Sequence, residues 1–471
     1  MNPRVSMNRM IAATVLALGG CGSVYVATES VRIALHAPAE PVEMAEFPAL
    51  TSGTSGSVSH APSSMRLSDL LAYARVHSPA IRVALAQYGV AASEGVEARE
   101  LLHDNPVVRF TARDLSSREG ENAGFELGLS QRFEIAGQHD LRLRVAEALR
   151  LTSESSLGEA RWAVHVEVQR LFARILLVAE RVEQAQRTVD FAEAMQAIAL
   201  RKVELGESSP LVRLLADVEV AQARAMSIES LQAQRALILR LVALVGWQSS
   251  EPLQLEGTLP AVRLAASAQN LLALMAEHHP AVRTRELAVL ARRAQLRSAQ
   301  REVWPSPTVG VAYENEADDL GAERHQSWTV RMSMPFPLWS QNQVERARAE
   351  AELVLADRER EETMMRLRVE VRDAASALNA AAERVELYRQ AVVPQLEENL
   401  VRLERAYELG EVDAHQVFQT RTRLVDGVSG YIEARVAYYD AAAALQHVIG
   451  TEEWSTDGEP SGLSRDSGGE R

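Results

Sequence analysis

Hydrophobic positions along the chain change period in a fixed order, and that order occurs twice. From Leu67 to about Leu102 apolar residues fall at helical spacing, with Ser68 or Asp69 as the expected N-cap and Pro79 restarting the helix. The period then drops to two. Val108, Phe110 and Ala112 alternate with Arg109, Thr111 and Arg113, and Phe125, Leu127 and Leu129 alternate with Glu126, Gly128 and Ser130. Such alternation predicts strands with one apolar and one polar face. After Gly137 the helical period returns and meets no proline until Pro210.

The second pass repeats the first. Helix is expected from Leu271 to Arg301, then strands in which Val309, Val311 and Tyr313, and Trp328, Val330, Met332 and Met334, form the apolar sets. A long helix follows from about Gln341 to Leu409, with Pro394 as an expected kink. Two marks fix the offset at about 201 to 204 residues. His77-Ser78-Pro79 returns as His278-His279-Pro280, and Glu204-Leu205-Gly206-Glu207 returns as Glu408-Leu409-Gly410-Glu411.

Each long helix carries a seam stepping by four and three: Val164, Val168, Leu171, Ile175, Val178, Val182, Ala185, Val189 and Ala192. Its counterpart is Leu367, Val371, Ala374, Leu378, Ala381, Val385, Tyr388 and Val392. This heptad spacing predicts coiled-coil packing, along helices of about 65 residues and roughly 100 Å. Gly206 and Gly410 suit left-handed caps, after which further helices run from Leu211 to Val245 and from His415 to Val448. The expected fold is mainly α with a small membrane β part.

Composition adds limits. The 471 residues carry a net charge of −14, which argues against general nucleic-acid binding. No internal apolar run reaches the ~18 residues of a membrane helix. The N-terminus stands apart: Arg4 and Arg9 precede an apolar run ending in Leu18-Gly19-Gly20-Cys21, the lone cysteine. A positive end, an apolar run and small residues mark residues 1–20 as a signal peptide, and the last four resemble a bacterial lipobox, with Cys21 as the acylated residue. Residues 21–64 read as a lipidated linker, 65–250 as the first repeat, 260–450 as the second and 451–471 as a disordered tail. The strands are expected at 106–115, 123–133, 306–315 and 326–336.

Strands of this length suit a tilted bilayer crossing, but four cannot close a barrel, whose smallest single-chain form has about eight. Open edges are not tolerated in lipid, so membrane strands require several chains, and three would supply twelve. Trp304, Tyr313, Trp328 and Trp339 sit where an interfacial aromatic belt would lie. No cofactor is expected. His77, His278 and His279 precede prolines and read as structural, with no spacing that suits a metal and no nucleophile beside a base.

With the duplicated plan, the two Leu-Gly-Glu turns and Ser333-Met334-Pro335-Phe336-Pro337-Leu338-Trp339 in view, the chain resembles the TolC-like outer membrane efflux protein family over about residues 65–450. The segment from Leu129 to Gln138 is similar to the cobalt–zinc–cadmium resistance branch. The resemblance implies a homotrimer with a twelve-stranded β-barrel in the outer membrane and an α-helical barrel through the periplasm, and no catalysis. It implies export of substrates, with divalent heavy-metal cations the first reading. Drug efflux, type I protein secretion and a poreless coiled-coil scaffold are the alternatives. The implied partners are a periplasmic adaptor, an inner-membrane RND-type transporter and outer-membrane lipid.

By the same resemblance the hairpin tips form the entrance, with Leu205, Gly206, Glu207, Leu409 and Gly410 meeting the adaptor. The family often narrows this entrance with acidic residues six and nine positions after the second tip glycine. Here those positions are Gln416 and Gln419. Glu408, Glu411 and Asp413 lie nearby, and Arg421 and Arg423 are expected to pair with such carboxylates.

Overall fold

In the computed structural model the described residues are 65–117, 120–206, 209–248, 253–317, 324–408, 412 and 414–454. The order is α1 (Leu67–His77), α2 (Pro79–Ala98), β1 (Val107–Ser117), β2 (Gly120–Arg132), α3 (Gln138–Glu204) and α4 (Pro210–Val245). The second half repeats it: α5 (Ala268–His278), α6 (Pro280–Arg301), β3 (Thr308–Ala317), β4 (Arg324–Ser333), α7 (Gln343–Leu387), a π turn (Tyr388–Val392), α8 (Val393–Glu408) and α9 (Ala414–Ile449). Among the described residues no helix is long and apolar enough to cross a membrane.

The repeat extends to individual core side chains. Leu70, Val168, Leu241 and Val245 are fully buried in the first half, and their counterparts Leu271, Val371, Leu445 and Ile449 are fully buried in the second. The seam positions lie in these cores, with Val164, Leu171 and Ile175 in one and Leu367, Leu378 and Val385 in the other. Separate apolar clusters close the hairpins: Val189, Ala192, Val220 and Ala223 between α3 and α4, and Leu400, Val417 and Leu424 between α8 and α9.

The two halves share one joint design. Gly246 ends α4 at φ 72° and Gly450 follows α9 at φ 80°. A Cβ on Gly246 would lie 2.3 Å from the His77 carbonyl oxygen, and one on Gly450 would lie 2.8 Å from that of His278. Each hairpin's returning helix therefore docks, backbone on backbone, onto the proline-marked break between two short helices. Polar contacts tie one half to the other: Trp162 Nε1 donates to the His447 carbonyl at 3.2 Å, Thr284 Oγ1 to Ser155 Oγ at 2.8 Å, and Arg174 pairs with Asp440 at 3.1 Å.

Three local expectations change, and the helix around Pro394 takes a definite form. Arg66, not Ser68 or Asp69, is the N-cap of α1, because the chain is pinned one step earlier by the Met65–Leu255 bridge. Asp69 instead accepts from the Arg66 backbone N–H at 3.4 Å. The helix expected from Leu271 to Arg301 breaks at His279, whose Nδ1 accepts from the Ala281 backbone N–H at 3.1 Å. Pro394 produces a π turn, in which Val393 N–H reaches the Tyr388 carbonyl five residues back. Proline lacks an N–H and crowds the carbonyl four residues before it, so the helix widens by a residue rather than breaking. The tail expected to be disordered from 451 is packed through Trp454: Glu452 binds His165 Nε2 at 2.5 Å, and the Trp454 carbonyl accepts from Ala266.

Candidate functional site

The strands form one antiparallel sheet in the order β1-β2-β3-β4. The hairpins extend further toward their turns than the apolar alternation does, with Ser117 paired to Gly120 and Ala317 to Arg324. β4 ends at Ser333, three residues before the expected end, so Met334 lies outside the strand. Pro335 and Pro337 follow, and a proline cannot donate to a ladder.

Register across the sheet assembles two unlike faces. One carries the rows Val108-Leu129-Val311-Val330 and Phe110-Leu127-Tyr313-Trp328. The aromatic rings of Phe125 and Tyr313 lie 6.1 Å apart and those of Tyr313 and Trp328 5.2 Å apart. Among the described residues nothing covers this face: Trp328 is 71% exposed and Val330 73%. The other face carries Arg109, Thr111, Glu126, Gly128, Gly310, Ala312, Glu314, Thr329 and Arg331. Among the described residues β1 and β4 each have one edge without a partner strand. A sheet with an uncovered apolar face and two open edges is unstable as an isolated object in water or in lipid.

The other candidate region is the pair of helical tips. At the first, Gly206 adopts φ 73°, Pro210 is the first residue of α4, and Ser209 Oγ accepts from Leu211 N–H at 3.3 Å. Leu205 is exposed. Glu207 lies outside the described residues. Asp217 is engaged within the hairpin, accepting from Gln196 Nε2 at 2.6 Å, and Arg224 pairs with Glu193 at 2.7 Å.

At the second tip, Glu408 ends α8, while Leu409, Gly410, Glu411 and Asp413 lie outside the described residues. Gln416 and Gln419 are exposed on the first turns of α9, and Arg423 is exposed beyond them. Arg421 has a partner that its sequence neighbourhood did not suggest: its guanidinium stands 4.5 Å from the ring centroid of Phe191 on α3. The second hairpin is thereby fastened to the first by a cation–π contact. Phe191 was missed because it falls outside the heptad seam, an aromatic whose partner is 230 positions away. Cys21 lies outside the described residues. Among the described residues no group of three or more His, Cys, Asp or Glu is placed to hold a metal ion.

The family match covers residues 70–247 and 271–451, one stretch per repeat, to outer membrane efflux protein. The chain belongs to the outer membrane efflux protein family. It is 23% identical over 317 residues to the cobalt-zinc-cadmium resistance protein CzcC of Cupriavidus metallidurans, covering 67% of this chain and 75% of that one. Its fold is similar to that of the Campylobacter jejuni CmeC outer membrane channel, with a TM-score of 0.69 at 14% identity over 83% of this chain and 87% of that one. It is equally similar to the outer membrane protein VceC of Vibrio cholerae, with a TM-score of 0.68 at 18% identity over 82% and 96% of the two chains. The family and fold are those of export channels, and no catalytic activity is indicated.

Proposed function

We propose that three copies of this chain pool their strands into a twelve-stranded barrel in the outer membrane and their long helices into a periplasmic tunnel, forming the exit duct of a tripartite pump. The observation that carries this reading is the four-stranded sheet. Among the described residues its apolar face is uncovered and its β1 and β4 edges are open, so lipid on one side and β1–β4 pairing between copies resolve both liabilities at once. The helices favour the same assembly, because Val83 and Val90 of α2, Leu214 and Val218 of α4, and Val354 and Val369 of α7 are exposed. The polar sheet face then lines a water-filled lumen.

Substrates are divalent heavy-metal cations, a reading supported by the likeness to CzcC. A periplasmic adaptor meets the tips at Leu205, Gly206, Glu207, Leu409 and Gly410, and an RND-type transporter drives export from the inner membrane. The entrance is framed by Glu408, Glu411, Asp413, Gln416, Gln419, Arg421 and Arg423, and acylated Cys21 anchors the N-terminus. Deletion of the gene, followed by growth on zinc, cadmium, cobalt, copper and a drug panel, tests the substrate class. Metal sensitivity restored by the intact gene is expected. Sensitivity to drugs but to no metal overturns the metal reading. Detergent-solubilised trimers without conductance in planar bilayers overturn the channel.

A further inference from the structure

The polar face of the sheet contains a contact that spans three strands. Arg331 on β4 places Nη1 2.5 Å from Glu126 Oε1 on β2, with all of β3 lying between them. Neighbouring strands are about 4.8 Å apart, so this pair bridges two strand spacings. The crossing is possible because β3 presents Gly310 opposite Arg331 and Ala312 beside it. Glycine and alanine leave room for a long side chain where any larger residue would stand in its path.

Burial supports the same geometry. The Glu126 side chain is only 7% exposed, while that of Arg331 is 53% exposed. Ala312, on the line between them, is 4% exposed. The carboxylate is thus covered, and the guanidinium is the group presented outward. Glu314 lies opposite Glu126 in the ladder, and Arg109 lies two rows away on β1. Arg132, at the end of β2, is engaged with Asp104 at 3.6 Å.

We propose that Arg331 is a selectivity-determining residue of the barrel lumen: by crossing β3 to Glu126 it screens a ring of carboxylates from ions in transit. This rests on the trimeric channel reading above, in which the polar face lines the lumen. Three copies place three Arg331–Glu126 pairs around one water-filled passage. The barrel therefore does not hold cations as they leave, although each copy places Glu126 and Glu314 side by side on the wall. A weak hold at the exit suits a duct whose cargo must be released.

The test compares purified wild type, R331Q, E126Q and the E126Q/R331Q double variant in planar bilayers under a KCl gradient, reading the reversal potential. R331Q is expected to raise the potassium-over-chloride permeability ratio, on the order of threefold in dilute KCl, because three net negative charges are added around one lumen. The change should shrink in concentrated KCl. E126Q is expected to move the ratio toward chloride, and the double variant to return it to the wild-type value. An R331Q channel with wild-type conductance and an unchanged reversal potential overturns the proposal and leaves the channel reading standing. Where R331Q fails to insert, E126Q decides alone, and an unchanged ratio there overturns the proposal equally. A wild-type protein that gives no conductance overturns the channel reading, and this proposal with it.

Discussion

Replacing Gly246 with alanine isolates the joint on which each hairpin returns to its short helices. Two costs act together. Gly246 has φ 72°, a left-handed backbone that costs a residue with a Cβ about 1–2 kcal/mol. The new Cβ would also lie 2.3 Å from the His77 carbonyl oxygen and 3.2 Å from Pro79 Cδ, so backbone must move, and forced overpacking costs about 1–3 kcal/mol more. Gly137 is the internal control. Its φ is 75°, yet no atom lies within 4 Å of its added Cβ, so Gly137→Ala has the strain without the collision. The measurement is the apparent melting temperature of detergent-purified protein at one fixed scan rate, since unfolding of a channel of this size is treated as irreversible. At about 2 °C per kcal/mol in large chains, Gly137→Ala should lower it by about 2–4 °C and Gly246→Ala by about twice that. Gly450→Ala should match Gly246→Ala, because its Cβ would lie 2.6 Å from His279 Cα. Equal losses for Gly137→Ala and Gly246→Ala would refute the claim that the docked joint, rather than backbone strain, makes the glycine necessary.

Two further outcomes follow from named groups. Burial, with His447 and Arg366 adding to it, holds His279 down to about 4 from its ordinary 6.5, so the folded protein keeps it neutral. A depressed histidine contributes stability that is complete above about pH 6.5 and is lost as pH falls toward 4, by up to about 3 kcal/mol per chain. His279→Asn keeps a side-chain acceptor for the Ala281 N–H and removes the titration, so its melting temperature should fall less than that of wild type between pH 7 and 4.5; parallel curves refute the assignment. Asn342, before α7, has φ 55° and donates from Nδ2 to the Ala299 carbonyl at 2.8 Å and to Glu302 Oε2 at 3.1 Å. Asn342→Gly loses the hydrogen bonds, about 1 kcal/mol each, and Asn342→Ala adds left-handed strain, so thermal melts should rank wild type above glycine above alanine.

The features legible in the chain are those carried by periodicity, and those missed depend on which distant segment arrives opposite. The seam residues Val168 and Val371 are readable because a heptad places them whatever they pack against. Alternation likewise assigns Glu126 and Arg331 to a polar face. It does not say that β2 pairs with β3, and without that pairing the two residues have no reason to meet. The same limit applies to the contact of Arg421 with Phe191, which lies 230 positions earlier. The π turn at Pro394 and the Arg66 cap are hidden from the sequence for a different reason. A proline signals that one hydrogen bond is missing, not whether the helix answers by breaking or by widening, and here continuous packing of α7 and α8 against α9 favours widening. Asp69 was read from local preference alone, whereas the bridge from Met65 to Leu255 sets where the helix begins. Glu126 and Arg331 combine both lessons. Alternation chose their face, the small residues Gly310 and Ala312 left the path open, and only the register of the third strand turned two charges of the polar face into a pair.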